Sequence, residues 1–418
     1  MPAKRDRMAL ALAGIEVTGK VSRARPGSRR QLFPLYAAGF TTAFGAHAVA
    51  ANLGAYTHNH AQSLLLLGVM LALYDGAEVL LKPVFGTLAD RIGARPVLLG
   101  GLAAFAVFSA GFVLAGDPGL LWLARLGQGA AASAFSPAAS ALVSRLNPAA
   151  RQGRAFGSYG FYKSIGYTIG PLLGGVLVAL GGLNLLFAAT VLLAVAVAVW
   201  VLLAVPAVPL LPRARQTIAD LAGRITDRAF LAPTTALAAA TAALAVGVGF
   251  LPLSGTAAGL GPVTTGAAVS VLAVCAALTQ PLAGRAADTG NIPPARMLAL
   301  GLALTAIGLA AAMIPGIVGL LSAAIIIGAG TGIITPVAFA SLAAATPSER
   351  LGQTMGTAEL GRELGDAGGP LLVAALATAV SLTAGYGALA ILVLALITVH
   401  PGAKKNSTSA TTATGGRI

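Results

Sequence analysis

Four long stretches of this chain, 31–74, 164–212, 229–284 and 297–348, contain no Asp, Glu, Lys or Arg. A helix that crosses a bilayer core needs about 20 apolar residues. Its backbone polar groups must be satisfied within the helix, because lipid offers no partners. Most of these runs are long enough to hold two such spans. Hydrophobic residues make up 57% of the chain and charged residues only 10%, against about 25% charged in a soluble domain. Gly and Pro breaks divide the sequence into twelve predicted spans, near 32–55, 63–86, 96–116, 119–143, 154–180, 183–205, 230–253, 263–284, 295–314, 317–344, 353–379 and 384–400. The predicted fold class is therefore an all-α integral membrane protein.

A net charge of +14 raises the question of nucleic acid, and the placement of the charges answers it. With the N-terminus inside, the inner segments collect Lys4 to Arg30, Arg91, Arg95, Arg145, Arg151, Arg154, Arg213, Arg215, Arg224, Arg228, Arg285, Arg296, Arg350, Lys404, Lys405 and Arg417. The short outer loops hold no Lys or Arg. This is the positive-inside pattern. It predicts a multi-pass protein of the cell membrane with both termini in the cytoplasm, and no nucleic-acid partner. The tail 1–31 reads as a solvated basic arm that touches lipid headgroups. It contains Glu16 and lacks a long apolar core, so it does not read as a signal peptide. The tail 401–418 is of low complexity and reads as disordered. Cys275 is the single cysteine, and His47, His58, His60 and His400 lack partners with metal-ligand spacing. No metal and no cofactor are expected.

Two segments are near copies, offset by 199 residues: Gly157-SYGFYKSI-Gly166-YTI-Gly170-Pro171 and Gly356-TAELGREL-Gly365-DAG-Gly369-Pro370. Pro148, Arg151 and Gly153 recur as Pro347, Arg350 and Gly352, and Pro137 recurs as Pro336. At an offset of 198, Pro83, Gly86 and Asp90 recur as Pro281, Gly284 and Asp288. Spans 2, 4 and 5 thus match spans 8, 10 and 11. Such internal repetition marks transporters built from two related halves. It predicts two pseudo-symmetric six-helix bundles, 32–205 and 230–400, joined by a cytoplasmic linker, 206–229.

The loop after span 2, Gly86-Thr-Leu-Ala-Asp90-Arg91-Ile-Gly93-Ala-Arg95, resembles the signature loop of the major facilitator superfamily. Arg125-Leu-Gly-Gln128-Gly129 in span 4 resembles that superfamily's second motif. Span 5, with Gly157, Gly166, Gly170, Pro171, Gly174 and Gly175, resembles the motif of its 12-helix drug:proton antiporter branch. Ala94 stands where the signature loop usually has a basic residue, and the second-half copy keeps only Gly284, Asp288 and Gly290. The resemblance implies two bundles about a central cavity with alternating access by rocking. It also implies that the start of span 11 lies near Asp90. Two readings of Asp90 stand: a latch broken when the cytoplasmic side opens, or a helix cap with Arg91 that sets topology. The Gly166, Gly170 and Gly174 stripe shares one helix face and permits close packing. The resemblance adds a second reading, a seal against ion leak.

Nine charges fall inside predicted spans: Asp75, Glu78, Lys82, Arg125, Lys163, Glu359, Arg362, Glu363 and Asp366. Each costs roughly 2.5–3.5 kcal/mol at the bilayer centre on insertion scales, which makes each a functional candidate. Asp75, Glu78 and Lys82 share one face of span 2. Glu359, Glu363 and Asp366 share one face of span 11. Helical rise places Lys163 and Arg362 about 13 Å from the cytoplasmic ends of their helices and Asp75 about 18 Å from its outer end, all near the midplane. Two readings stand for this set. In one, Lys82 with Glu359 or Glu363 and Asp75 with Arg362 are fixed pairs that orient the halves. In the other, Asp75, Glu78, Glu363 and Asp366 couple protons, with Asp75 and Asp366 as the carriers. Many proton-coupled relatives keep an acidic residue in span 1 or span 4, and this chain has none in either.

Arg125, Lys163, Arg362, Tyr159, Tyr162, Tyr74 and Gln280 are the substrate-binding candidates. Lys163 has tyrosines around it in sequence and no acidic neighbour in span 5, which suits an anionic or polar group on a ligand. Pairing with Asp75 or Glu363 is the structural alternative. The functional expectation is a secondary active transporter that exports a small amphipathic molecule in exchange for protons and works as a monomer in the bilayer. The alternative is a proton symporter that takes up an anionic or polar solute. A membrane enzyme or a receptor is the third class. The sequence offers no Asp-rich metal motif, nucleophile elbow or paired histidines for it, and Gly328-Ala-Gly330-Thr-Gly332 is too apolar in context to hold a nucleotide.

Overall fold

A computed structural model describes residues 28–52, 63–114, 118–210 and 227–399. The basic arm up to residue 27, most of the linker, the C-terminal tail, His58, His60 and His400 lie outside the described residues. The helices are α1 (Arg29–Asn52), α2 (Ser63–Ile92), α3 (Ala94–Leu114), α4 (Pro118–Ala132), α5 (Phe135–Arg145), α6 (Gln152–Ala204), α7 (Arg228–Ala257), α8 (Pro262–Thr289), α9 (Pro294–Ala311), α10 (Gly316–Ala345), α11 (Leu351–Ala379) and α12 (Leu382–Val399). Among the described residues there is no strand. Among the described residues, six helical stretches are long and apolar enough by length and composition to cross a membrane, in α3, α6, α7, α8, α9 and α10. The helices α2 and α11 are as long, at 30 and 29 residues, but carry most of the intramembrane charges.

Two local breaks follow from residue chemistry. The 53 residues of α6 contain non-helical dihedrals at Gly181 and Gly182, where Gly182 has φ +68° and ψ −171°. Only glycine adopts such a conformation without strain, so α6 is two spans, 152–180 and 183–204, divided where the sequence places the boundary. Helical dihedrals continue through Pro171. Predicted span 4 is itself interrupted at Ser133–Ala134, between α4 and α5. Pro137 offers no N–H to the carbonyl four residues earlier, and Ser133 turns its hydroxyl back onto the Ala130 carbonyl at 2.6 Å.

The repeated glycines form two kinds of contact. Gly166, Gly170 and Gly174 of α6 meet Phe40, Phe44 and Ala48 of α1 at or near backbone distance. Gly365 and Gly369 of α11 meet Ala238 and Ala242 of α7 in the same way. These contacts lie within one bundle. The second kind joins the bundles. Gly86 of α2 abuts Gly352 and Gly356 of α11, and Gly284 of α8 abuts Gly153 of α6, whose Gly157 lies on the Gln280 backbone. The two halves therefore meet along two seams, α2–α11 and α6–α8, related by the internal repeat. The first helices α1 and α7 form no comparable seam among the described residues.

Candidate functional site

Each seam is gripped by a carboxylate at the arginine-rich end of the molecule. Asp90 accepts hydrogen bonds from the backbone N–H groups of Gly352 at 2.8 Å and Gln353 at 2.7 Å. Asp288 accepts from the N–H groups of Gly153 at 2.8 Å and Arg154 at 2.9 Å. The donors are first-turn amides of α11 and α6, which have no partner within their own helix and sit at its positive end. A side chain at Gly86 or Gly284 would strike the facing backbone carbonyl, so glycine is what brings the carboxylates into reach. Gly93 turns the chain with φ +103°. Arg95 donates to the Leu202 carbonyl at 2.6 Å, and Arg91 is exposed.

Deeper in the α2–α11 seam lies a buried charge cluster. Lys82 is 1% exposed. Its ammonium contacts Glu363 of α11, Glu78 at 2.7 Å and Glu359 at 3.8 Å. Glu359 is fully buried and shared by three cations, because Arg362 reaches it at 2.9 Å and Lys163, from the other bundle, at 3.8 Å. Lys163 also donates to the Ser136 hydroxyl at 2.9 Å, just beyond the break between α4 and α5. The matching place in the α6–α8 seam is neutral. Gln280, the counterpart of Lys82, donates to Ser164, the counterpart of Glu363, at 2.8 Å.

A cavity of about 70 Å³ opens beside Glu359. Lys163, Arg362, Glu359, Gln280, Tyr159 and Tyr167 supply its polar wall, and Phe156 and Phe339, stacked at 5.6 Å, part of its apolar wall. Ligand pockets for drug-sized molecules measure roughly 300–1,000 Å³, so the halves must part to admit one. Thr241 and Thr335 add hydroxyls.

Several candidates stand elsewhere than the sequence suggests. Tyr162 lies outside the cavity wall and stacks on Tyr36 of α1, with centroids 5.5 Å apart. Tyr74 is buried beneath Arg125, whose guanidinium sits 4.0 Å above its ring. Arg125 is 1% exposed and donates to Gln128 at 2.7 Å, which donates in turn to Ser109. Neither Asp75 nor Asp366 pairs with Arg362; both are exposed, and the α2 carboxylate lies within electrostatic reach of Arg125, Glu363 and Asp366. Lys163 pairs with Glu359 rather than with Asp75 or Glu363. Tyr167, one of the tyrosines around Lys163 in sequence, does line the cavity, whereas Glu359 as a hub and His47 beside Tyr167 were not expected from sequence. Spacing shows which residues share a face, but not which neighbour that face meets.

A family model described as Major Facilitator Superfamily matches residues 35–256 and 234–414. The inner membrane transport protein YajR of Escherichia coli is 33% identical over 140 residues, covering 32% of this chain and 30% of that one. The class H tetracycline resistance protein of Pasteurella multocida is 35% identical over 113 residues, covering 26% of this chain and 27% of that one. The chain thus spans about a third or less of these relatives' lengths. The crystal structure of the human organic anion transporter MFSD10 (TETRAN) superimposes with a TM-score of 0.76 at 16% identity, over 90% of this chain and 100% of that one; the likeness is one of fold.

Proposed function

This chain belongs to the major facilitator superfamily, and on that premise we propose that it is a proton-coupled antiporter that exports a small amphipathic molecule by alternating access. The observation that carries the reading is the pair of carboxylate grips, Asp90 on α11 and Asp288 on α6, that shut one end of the molecule below a buried charge cluster. Shutting one end while α1 and α7 stay apart is the arrangement that alternating access requires of one of its two states. The antiporter-like stripe of α6 and the likeness to a tetracycline resistance protein support export. On this reading the bundles are 32–205 and 230–400, with the linker 206–229, the tails and the shut end in the cytoplasm, and a single chain is the working unit. Protons load at Asp75 and Asp366, the two intramembrane carboxylates that no ion pair among the described residues occupies.

A second reading, proton symport that takes up an anionic solute, is favoured by Lys163 and Arg362, two cations that share one carboxylate in the cavity wall. Everted membrane vesicles separate the two. Under antiport, acid-inside vesicles carrying the protein accumulate ethidium, an amphipathic probe. Filling with an organic anion only when the gradient is reversed sinks the export reading in favour of symport.

A further inference from the structure

A groove of about 560 Å³ lies between α7, α9 and α10 at the arginine-rich end of the second bundle, apart from both seams. Its wall is small and apolar, with Ala232, Ala295, Leu298, Ala344 and Ala345. The Ser341 hydroxyl in that wall is spent on the Val337 carbonyl at 2.7 Å. Arg228 is the one charged residue of the lining. Among the described residues no ion pair occupies it, and Asp227 next to it accepts from the Ala229 N–H at 3.0 Å. The helix α7 has 30 residues and is about 45 Å long, the thickness of a bilayer with its headgroups. Its first residue, Arg228, therefore stands at headgroup level, with the apolar wall running inward from it.

The internal repeat shows what fills the equivalent place in the first bundle. A Cβ at Gly101 would meet Phe135 and the Ala131 carbonyl, as one at Gly301 would meet Ile334 and the Gly330 carbonyl. That match sets Ala295 where α3 has Arg95, and the offset of 199 sets Ala344 where α5 has Arg145. The two arginines hold the chain at and beyond the end of α6: Arg95 donates to the Leu202 carbonyl at 2.6 Å and Arg145 to the Pro209 carbonyl at 2.9 Å. Val205 is 2% exposed, and Val208 packs on the core. The second bundle has alanine for both arginines. At the offset that pairs buried Phe187 with Tyr386 and Ala194 with Val393, Val205 and Val208 become Lys404 and Ser407. The sequence after α12 thus lacks the apolar residues that seat the first bundle's segment, and its lysines would be repelled by Arg228.

We propose that the groove is a binding site for one anionic phospholipid of the leaflet at the arginine-rich end. An acyl chain lies along the alanines, where burial of apolar surface stabilises it, and the Arg228 guanidinium holds the phosphate by charge-assisted hydrogen bonds. Basic pockets between membrane helices take anionic headgroups for this reason. The site requires a bilayer and no particular direction of transport, so its test is independent of the antiport reading.

The test is photolabelling of the full chain in nanodiscs, with phosphatidylglycerol or phosphatidylcholine carrying the same diazirine acyl chain, mapped by mass spectrometry. In the wild type, label falls on 229–233, 294–298 and 341–345. Phosphatidylglycerol labels these about fivefold more than phosphatidylcholine, the preference expected of one arginine near an anionic headgroup. The first-bundle stretches 94–98 and 141–145 take up little of either. Arg228→Gln brings the two lipids level while labelling persists, and Ala295→Leu with Ala344→Leu, which fills the groove, removes both. Equal labelling by the two lipids in the wild type, or a preference that survives Arg228→Gln, overturns the proposal. Absence of label from the groove also overturns it, in favour of the chain's own terminal segment as the occupant.

Discussion

Lys82 and Gln280 occupy equivalent places in the two seams, and each reaches into the other bundle with a different kind of bond. Lys82 forms an ion pair with Glu363, whereas Gln280 makes a neutral hydrogen bond to Ser164. One molecule thus contains a charged and an uncharged version of the same contact.

That pairing predicts a non-additive cycle. Lys82→Gln alone leaves Glu363 and Glu78 without their shared cation. Breaking a buried pair costs about 3–5 kcal/mol, and the lower end applies because Glu363 is 21% exposed. The double variant Lys82→Gln with Glu363→Ser copies the neutral seam, and it loses less stability than the two single variants summed. Thermal unfolding in detergent measures the cycle, and simple additivity refutes the pairing.

Asp90→Asn keeps one acceptor oxygen and loses the charge. Hydrogen bonds to charged groups contribute about 1.5–3 kcal/mol each, so the α2–α11 seam opens at its end. Spin labels on cysteines at Arg91 and Ser348, in a Cys275→Ala background, then give a longer and broader distance distribution. Asp288→Asn leaves that distribution near the wild type and acts on the α6–α8 seam instead.

Gly86→Ala and Gly284→Ala place a methyl group against a facing backbone carbonyl, with no flexible side chain to yield. Overpacking of this kind costs about 1–3 kcal/mol. Both variants insert into the membrane yet lose most transport. Gly76→Ala and Gly100→Ala, where nothing lies within 4 Å, serve as controls and retain it.

Asp75→Asn touches an exposed carboxylate, so its stability stays within about 0.5 kcal/mol of the wild type. Proton-driven accumulation in vesicles is abolished, while substrate counterflow continues. Loss of both, in a normally inserted protein, means that Asp75 serves substrate and not the proton.

Lys163→Ala removes the cavity ammonium that links Ser136 to Glu359. Binding of an aromatic carboxylate, followed by thermal shift, weakens more than binding of the matching amide. Equal losses exclude Lys163 as a contact for negative charge.

Glycine spacing was informative because backbone approach depends on the absence of a side chain, which a sequence states directly. Gly86, Gly153, Gly284 and Gly352 fall on the seams for that reason. The charges were informative as a group, since burial in lipid singles them out. Their partners were less so. Glu359 and Glu363 share a face of α11, yet only the azimuth of α2 decides that Lys82 bonds chiefly to Glu363 and leaves Glu359 to Arg362. Tyr162 and Tyr167 both flank Lys163 in sequence; the lie of α1 against α6 puts one on Tyr36 and the other on the cavity.

The seam glycines also bear on how such a chain diversifies. Gly86 meets Gly352, and their repeat counterparts Gly284 and Gly153 meet each other. The contact is therefore the self-complementary interface of a two-fold dimer, drawn twice within a single polypeptide. In an unfused dimer of half-length chains, any substitution would appear at both interfaces at once, so a lysine facing a glutamate would do so in duplicate. Fusion removes that constraint. A tandem gene can vary one interface while its twin preserves assembly, which is how Lys82 can coexist with Gln280.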